Sequence, residues 1–459
     1  MNRDKYIQQL EETIMRLIAE KDAALGRIRE LEVKNKQLEA EKGELIKNLR
    51  IYENPHTSPS MQIVKKKNVS QKKDTPPKKR GAPIGHRGAT RKTPIPDEVK
   101  EVVAHECEKC GSVNIEKQDE CEKKVIIDKP PPQKIKVTQF NRWKVKCLDC
   151  GHSFISKDED CPQIGDLGIY LLVYITMLKF HLRGVTRKIQ DFLLYHDDFE
   201  ISPMGICNSL LRVGNVCKRE YEKIVEKIRN AKWNHIDETG IKVNGEKWWL
   251  WIFRTPENDV VVVIRKSRGS NVPREILGED YKGAVIVDGW MAYNWIEIIQ
   301  RCWAHLIREV DDCKDVSWDG KRLSNSIHVM YDELKEYIKG NPTMEDRTKK
   351  KDIWDKRIEK LVGEYSMFSE LEKPITYIRN GLGNWYTCIL YPGMESTNNL
   401  GEQAMREHVI MRKIIGCFRS ENGSQNYQYI ASMLATWKLQ GKNPFVELEQ
   451  LLRRKLCLG

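Results

Sequence analysis

"WNHIDETGIKV", residues 233–243, decides how this chain is read. Ile236, Ile241 and Val243 suit a strand, yet Asp237 and Glu238 place two carboxylates in its middle. Buried charge is costly unless it is paired or holds a metal. On a pleated strand Asp237 shares a face with His235 and Thr239, while Ile236 points the other way.

The flanking sequence extends the strand into a sheet. "EKWWLWIFRT" (246–255) and "DVVVVIRKS" (259–267) are β-rich runs separated by the turn signals "NG" and "PEN". A helix is predicted around "VPREILGED", followed by the apolar strand of "YKGAVIVDGW", which ends at Asp288 and Gly289. Three antiparallel strands, a helix and a buried strand form the opening half of a ribonuclease H-like mixed sheet. Residues of about 296–395 turn helical and charged and read as an insertion; 397–455 is helical again. If the strands of Asp237 and Asp288 are neighbours, about 4.8 Å apart, their carboxylates can share a pair of Mg²⁺ ions. Such ions lie about 3.5–4 Å apart in two-metal phosphoryl-transfer sites. A third carboxylate is available in "ESTNNLGEQAMREHVIMRK" (395–413). There Thr397 or Asn398 can cap a helix bearing Glu402 in its first turns and Arg406 at i+4. Glu395 precedes the cap. For an isolated acid the commoner role is a solvated or salt-bridged surface group.

The N-terminal half has a different character. Residues 4–52 carry an a/d series from Ile7 through Leu10, Ile14, Leu17, Lys21, Ala24, Ile28, Leu31, Asn35, Leu38, Lys42, Leu45 and Leu49 to Tyr52. Sustained 3.5-residue spacing predicts a coiled coil, and Asn35 suits a dimer. The alternative is one amphipathic helix lying on its own chain. Between Lys65 and Lys92 lie eleven Lys or Arg and one Asp, a net +10. The whole chain is +12, so the rest contributes only +2. This Pro- and Ser-rich linker, with Lys78, Lys79 and Arg80 at its centre, is expected to bind DNA without regard to sequence. A solvated linker is the plainer reading.

Two CxxC pairs follow, "CEKCGS" (Cys107, Cys110) and "CLDCGH" (Cys147, Cys150), each trailed by the Gly that a tight turn requires. Matched pairs favour one structural Zn²⁺ held by four thiolates over redox chemistry, with "KVIIDKPPPQKIKVTQFNRWKVK" (124–146) as hairpin strands between them. Residues 165–231 are predicted helical, and "GVTRKIQDFLLYHDDFEISPMGICNSLLRVG" reads as helix, turn, helix, with Ser202 capping and Pro203 first in the second helix. Such a pair reads DNA or is simply two packed helices. No apolar h-region opens the chain, and "IYLLVYITML" (169–178) is too short to span a bilayer. A cytoplasmic, nucleoid-associated protein without a membrane partner is expected.

The chain is thus expected to be a multidomain α+β protein. Its parts are a coiled coil (1–52), a basic linker (53–100), a zinc ribbon (101–160), a helical region (161–231) and a ribonuclease H-like domain (232–459).

Taken together, "HIDET", "VDGWMAYN", "RCWAHLIRE", "STNNLGEQAMR" and "RKIIGCFRSENGS", in this order, resemble the insertion-sequence 66 transposases, which are DDE enzymes with a ribonuclease H-like core. "RGAPIGHRGATR", the zinc knuckles and the coiled coil also match, so the resemblance covers nearly the whole chain. It implies that Asp237, Asp288 and Glu402 are the catalytic triad and hold two Mg²⁺ or Mn²⁺ ions. It also implies in-line attack on DNA by water and then by a DNA 3′-hydroxyl, without a covalent protein–DNA intermediate. Asn398, Asn399, Arg406, Arg412 and Lys413 would orient Glu402 or hold phosphates, and His305 would lie near the scissile phosphate. The family's aromatic after "DG" is here Trp290, and its double Arg after "WAH" is reduced to Arg308. The implied partners are terminal inverted repeats, target DNA, a second copy of the chain and accessory proteins encoded beside the element. The competing readings are a transposase-derived regulator without catalysis and a ribonuclease H-like repair nuclease.

Overall fold

The structure, a computed structural model, describes residues 3–51, 95–117, 121, 123–127 and 134–458. The centre of the basic linker, including Lys78, Lys79 and Arg80, lies outside them. The chain divides into two units, residues 64–134 and the remainder.

In the larger unit, helix α1 (Arg3–Ile51) carries the heptads. Its described a/d residues Ile14, Leu17, Ile28, Leu31 and Leu38 are 51–64% exposed, so no described residue of this unit covers them. Strands β1 (Lys144–Lys146) and β2 (Ser153–Ile155) form an antiparallel hairpin around Cys147 and Cys150. Of the strands expected over 124–146, the described residues show β1 alone; residues 123–127 and 134–143 form none.

Helices α2 (Ile169–Phe180), α3 (Thr186–Asp197) and α4 (Pro203–Asn230) follow. The Ser202 side chain accepts the Gly205 N–H and Pro203 opens α4, as the sequence predicts. Ile175, Leu178, Ile189, Leu193, Ile206 and Leu210 make a small core of their own.

The central sheet comprises β3 (Trp233–Val243), β4 (Glu246–Arg254), β5 (Val260–Arg265), β6 (Ala284–Val287) and β7 (Ile299–Arg301), with α5 (Asn271–Leu277) between β5 and β6. Its order is β5-β4-β3-β6-β7; the first three strands are antiparallel, while β6 and β7 run parallel to β3. The β3–β4 turn uses Asn244 (φ 49°) and Gly245 (φ 81°), the left-handed pair that a two-residue hairpin demands. Both faces are buried, and the "VVVV" run serves both: Val261 and Val263 pack toward α4, Val260 and Val262 toward the C-terminal helices.

The stretch read as a helical insertion opens with a strand, β7. Its Gln300 is fully buried and bonded to Trp385 O, Arg301 O and Cys388 N, so polar content hid it from an apolar pattern. Helices α6 (Trp303–Asp311), α7 (Trp318–Lys339), α8 (Met344–Tyr365) and α9 (Glu372–Arg379) then pack around Trp303, Trp354 and Trp385.

Helices α10 (Asn399–Ile415), α11 (Glu421–Leu439) and α12 (Pro444–Leu452) close the chain. Gln428, Ser432 and Thr436, one turn apart on α11, accept the N–H groups of Ile264, Val262 and Val260. The free edge of β5 is thereby satisfied by side chains. Between α10 and α11, buried His408 bonds Tyr427 Oη through Nδ1 (2.7 Å), and burial pushes its pKa from 6.5 down to about 4. The folded value lies below the unfolded one, so the stability it contributes is complete above pH 6.5 and is lost as pH falls toward 4. His408→Gln is expected to flatten that acid limb by up to about 3 kcal/mol, measured by denaturation across pH 4–7.

Candidate active site

Asp237 and Asp288 meet at the centre of the sheet. His235 pairs with Ile286 across β3 and β6; continued two residues beyond the paired stretch, this register carries Asp288 toward Asp237, and the Asp288 charge acts on it. Asp237 also pairs with Ile252, whose side chain packs in the core beneath α10. Both aspartates therefore face α10, which carries Glu402 in its first turn. The Asp288 carboxylate accepts the Trp290 N–H (2.9 Å), a turn that holds it at the strand end. Gly289 is required there, because a Cβ would sit 2.8 Å from both Arg301 and Tyr377.

Asp237 is the acid under most electrostatic stress. Burial, then the charges of Glu238 and Asp288, with a smaller push from Glu402, raise its pKa to about 7 against the bond from Glu238 N–H. No basic side chain among the described residues pairs with it, so the pocket carries excess negative charge. That donor set, hard oxygens around an unneutralised carboxylate, fits a divalent cation such as Mg²⁺. A raised acid pKa means stability that is full below the unfolded value and is lost as pH rises through about 7. His408 acts in the opposite sense over much of this window, so the check is a difference: in EDTA, Asp237→Asn should gain unfolding temperature relative to wild type as pH rises from 4 to 7. Divalent-metal affinity should rise across the same window with release of a proton.

Glu238 answers the other half of the acidic pair. Opposite Trp251, it points to the α4 face and is almost wholly buried. Tyr293 Oη donates to it at 2.6 Å and Arg268 at 2.8 Å. Arg268 is in turn stacked on Trp249 and Trp290. Burial and the charge of Asp288 still raise the Glu238 pKa above the ordinary range. The sequence read Glu238 as half of a pair; the structure makes it the anchor for Arg268 and, through Trp290 Nε1–H to Arg268 O (3.0 Å), for the Asp288 turn.

The helix of Glu402 is fixed from β3. Asn398 does not cap with its side chain. Its Nδ2 donates to Ile236 O (2.7 Å), its Oδ1 meets His235 Nδ1 (3.1 Å), and its carbonyl accepts the Glu402 N–H. His235 Nε2 bonds Glu395 (3.0 Å), which gives that loop acid a structural partner. Nothing local in the sequence links positions 160 residues apart.

Arg412 bonds Thr239 Oγ1 (2.7 Å) and Gly240 O, tethering α10 to β3, whereas Arg406 and Lys413 are exposed. His305 Nδ1 lies 3.7 Å and Arg308 Nη2 3.5 Å from Glu402 Oε1. Burial, then the Arg308 charge, lowers the His305 pKa. Among the described residues the one set of three ligand-type side chains whose donor atoms lie within 4.8 Å of one another is Cys302, His305 and Glu402, not the three acids. Cys302 is not among the residues the sequence singles out, although the spacing Cys-x-x-His at a helix start is a signal for it.

The two cysteine turns share one geometry. Cys107 O accepts Gly111 N–H (2.8 Å) and Cys147 O accepts Gly151 N–H (3.0 Å), with both glycines at positive φ. Backbone N–H groups of Lys109 and Cys110, and of Cys150 and Asp149, lower the Cys107 and Cys147 pKa values toward thiolate. No disulfide joins any of the thirteen cysteines.

Comparison with known proteins places the chain in a family. A family model described as "Transposase IS66 family" matches residues 167–426, more than half of the chain, and the protein belongs to that family. The match spans the helical region, the sheet and all three acids. An uncharacterised protein of Sinorhizobium fredii (strain NBRC 101917 / NGR234), y4qI, is 25% identical over 324 residues, covering 62% of this chain. The chain spans 59% of that relative's length. The mixed sheet is consistent with a ribonuclease H-like core. No described helix is long and apolar enough to cross a membrane.

Proposed function

We propose that the protein is a DDE transposase that cleaves and transfers DNA strands at the ends of an insertion sequence, with Asp237, Asp288 and Glu402 as its catalytic acids. The observation that carries this reading is the Asp237 carboxylate, held near pKa 7 by burial and by the neighbouring acids, with no basic partner among the described residues. Asp237 and Asp288 would hold Mg²⁺ or Mn²⁺ from the sheet and Glu402 from α10. Bound metal supplies Lewis-acid activation of the attacking oxygen and stabilises the leaving one. The protein's part is placement: Asn398 and Arg412 fix α10 against β3, and the Arg268–Trp290 contact fixes the Asp288 turn. Arg406, Lys413, His305 and the linker residues Lys78, Lys79 and Arg80 would hold phosphates.

The cysteine turns are proposed to ligate structural Zn²⁺, and α3–α4 to contact DNA. The exposed a/d seam of α1 is proposed to pair with a second copy in the cytoplasm, at the nucleoid. Leu17→Asp with Leu31→Asp is expected to convert a dimer to a monomer in sedimentation; an unchanged mass would place the dimer contact elsewhere. To test the activity, the protein is incubated with DNA carrying the element's ends and Mg²⁺ or Mn²⁺. Cleavage abolished by EDTA supports the reading. DNA binding that survives EDTA, with no cleavage under either metal, supports a regulator; cleavage indifferent to the end sequences supports a nuclease.

A further inference from the structure

Cys302, His305 and Glu402 differ in chemistry from the carboxylates beside them. Cys302 is the N-cap of α6 and fully buried, with its N–H bonded to Val287 O at the end of β6. Three residues on, His305 shares that end of the helix, and Glu402 reaches it from α10. The donor atoms lie within 4.8 Å of one another. His305 Nδ1 is buried and makes no hydrogen bond, and its 3.7 Å separation from Glu402 Oε1 is close to the edge of a zinc tetrahedron, about 3.4 Å for bonds of 2.0–2.3 Å. If Cys302 served only to accept the Asn398 N–H (3.1 Å), His305 Nδ1 would have no reason to be sequestered here. Magnesium does not take sulfur or imidazole readily; thiolate, imidazole and carboxylate together select zinc-class ions.

We propose that Cys302, His305 and Glu402 form a site for a thiophilic divalent cation of the zinc class, with a fourth position left open. Its consequence rests on the transposase reading: an ion held here withdraws Glu402 from Asp237 and Asp288, so zinc opposes Mg²⁺-dependent cleavage.

The test uses the full chain, stripped of metal and titrated with Co²⁺. The cysteine turns give thiolate–cobalt absorption in every variant, so the readout is the difference between wild type and Cys302→Ser, with His305→Gln as the second variant should the first unfold. One additional equivalent of Co²⁺ in the wild type, with a thiolate band that Zn²⁺ abolishes, supports the site. Equal stoichiometry and superimposable spectra overturn it. Cleavage is then compared for each protein with and without micromolar Zn²⁺. At least tenfold inhibition of wild type, relieved in Cys302→Ser, supports the competition, and equal inhibition of both overturns it. If neither protein cleaves, the transposase reading fails and the cobalt difference alone decides the metal site.

Discussion

Asp288→Asn is expected to lower DNA cleavage by roughly three orders of magnitude while leaving the protein folded. Loss of metal-centred charge stabilisation costs several kcal/mol in the transition state, and each 1.36 kcal/mol is tenfold in rate. The substitution is nearly isosteric, and Asn Oδ1 can still accept the Trp290 N–H that shapes the turn. What disappears is the negative charge, which also burdens Asp237 and Glu238, since Asp288 raises the pKa of both. The metal-free variant should therefore melt at the same temperature as wild type or higher, the usual pattern when stability is given up for a charged active site. Loss of cleavage together with a lower melting temperature would point to misfolding instead. Cleavage within tenfold of wild type would remove Asp288 from the catalytic set.

Trp303→Ala is expected to give the largest loss of stability, about 3–5 kcal/mol. Trp303 is fully buried where α6 leaves the sheet. Its ring stacks on Tyr331 (5.4 Å) and packs against Trp385 and Tyr386, and its Nε1–H donates to Trp385 O (2.6 Å). Truncation leaves a cavity that four helices cannot close without moving, and it removes a partner from a buried carbonyl. Because α6 also carries His305 and Arg308, the orientation of Glu402 should loosen as well. The check is the first transition in urea, with metal-stimulated cleavage measured below its onset. A loss under about 1 kcal/mol would mean that the helical segment contributes little to holding the sheet.

The sequence revealed features whose cause is local. Strands β3 to β6 follow from β-rich runs bounded by turns, the Asn244–Gly245 turn from its dipeptide, and the start of α4 from Ser202 and Pro203. Asp237 stands out because it interrupts a strand, and Asp288 because it ends an apolar one. Features that depend on distant partners were hidden. Asn398 looks like a helix cap until His235 and Ile236 are brought beside it, and Glu238 looks like the other half of an acidic pair until Arg268 and Tyr293 enclose it. Arg412 reads as a phosphate contact, yet it bonds Thr239. Strand β7 is three residues long and centred on a buried Gln, so no periodicity announces it.

The closure of β5 by α11 bears on the fate of damaged copies of this gene. A frameshift or stop codon after Lys413 would delete Gln428, Ser432 and Thr436 and leave Val260–Ile264, five uncharged β-branched residues, with their amides unclaimed. Such a bare, apolar ladder templates intermolecular stacking. Shortened products are therefore expected to accumulate as insoluble deposits and not as free DNA-binding fragments that could repress the intact protein.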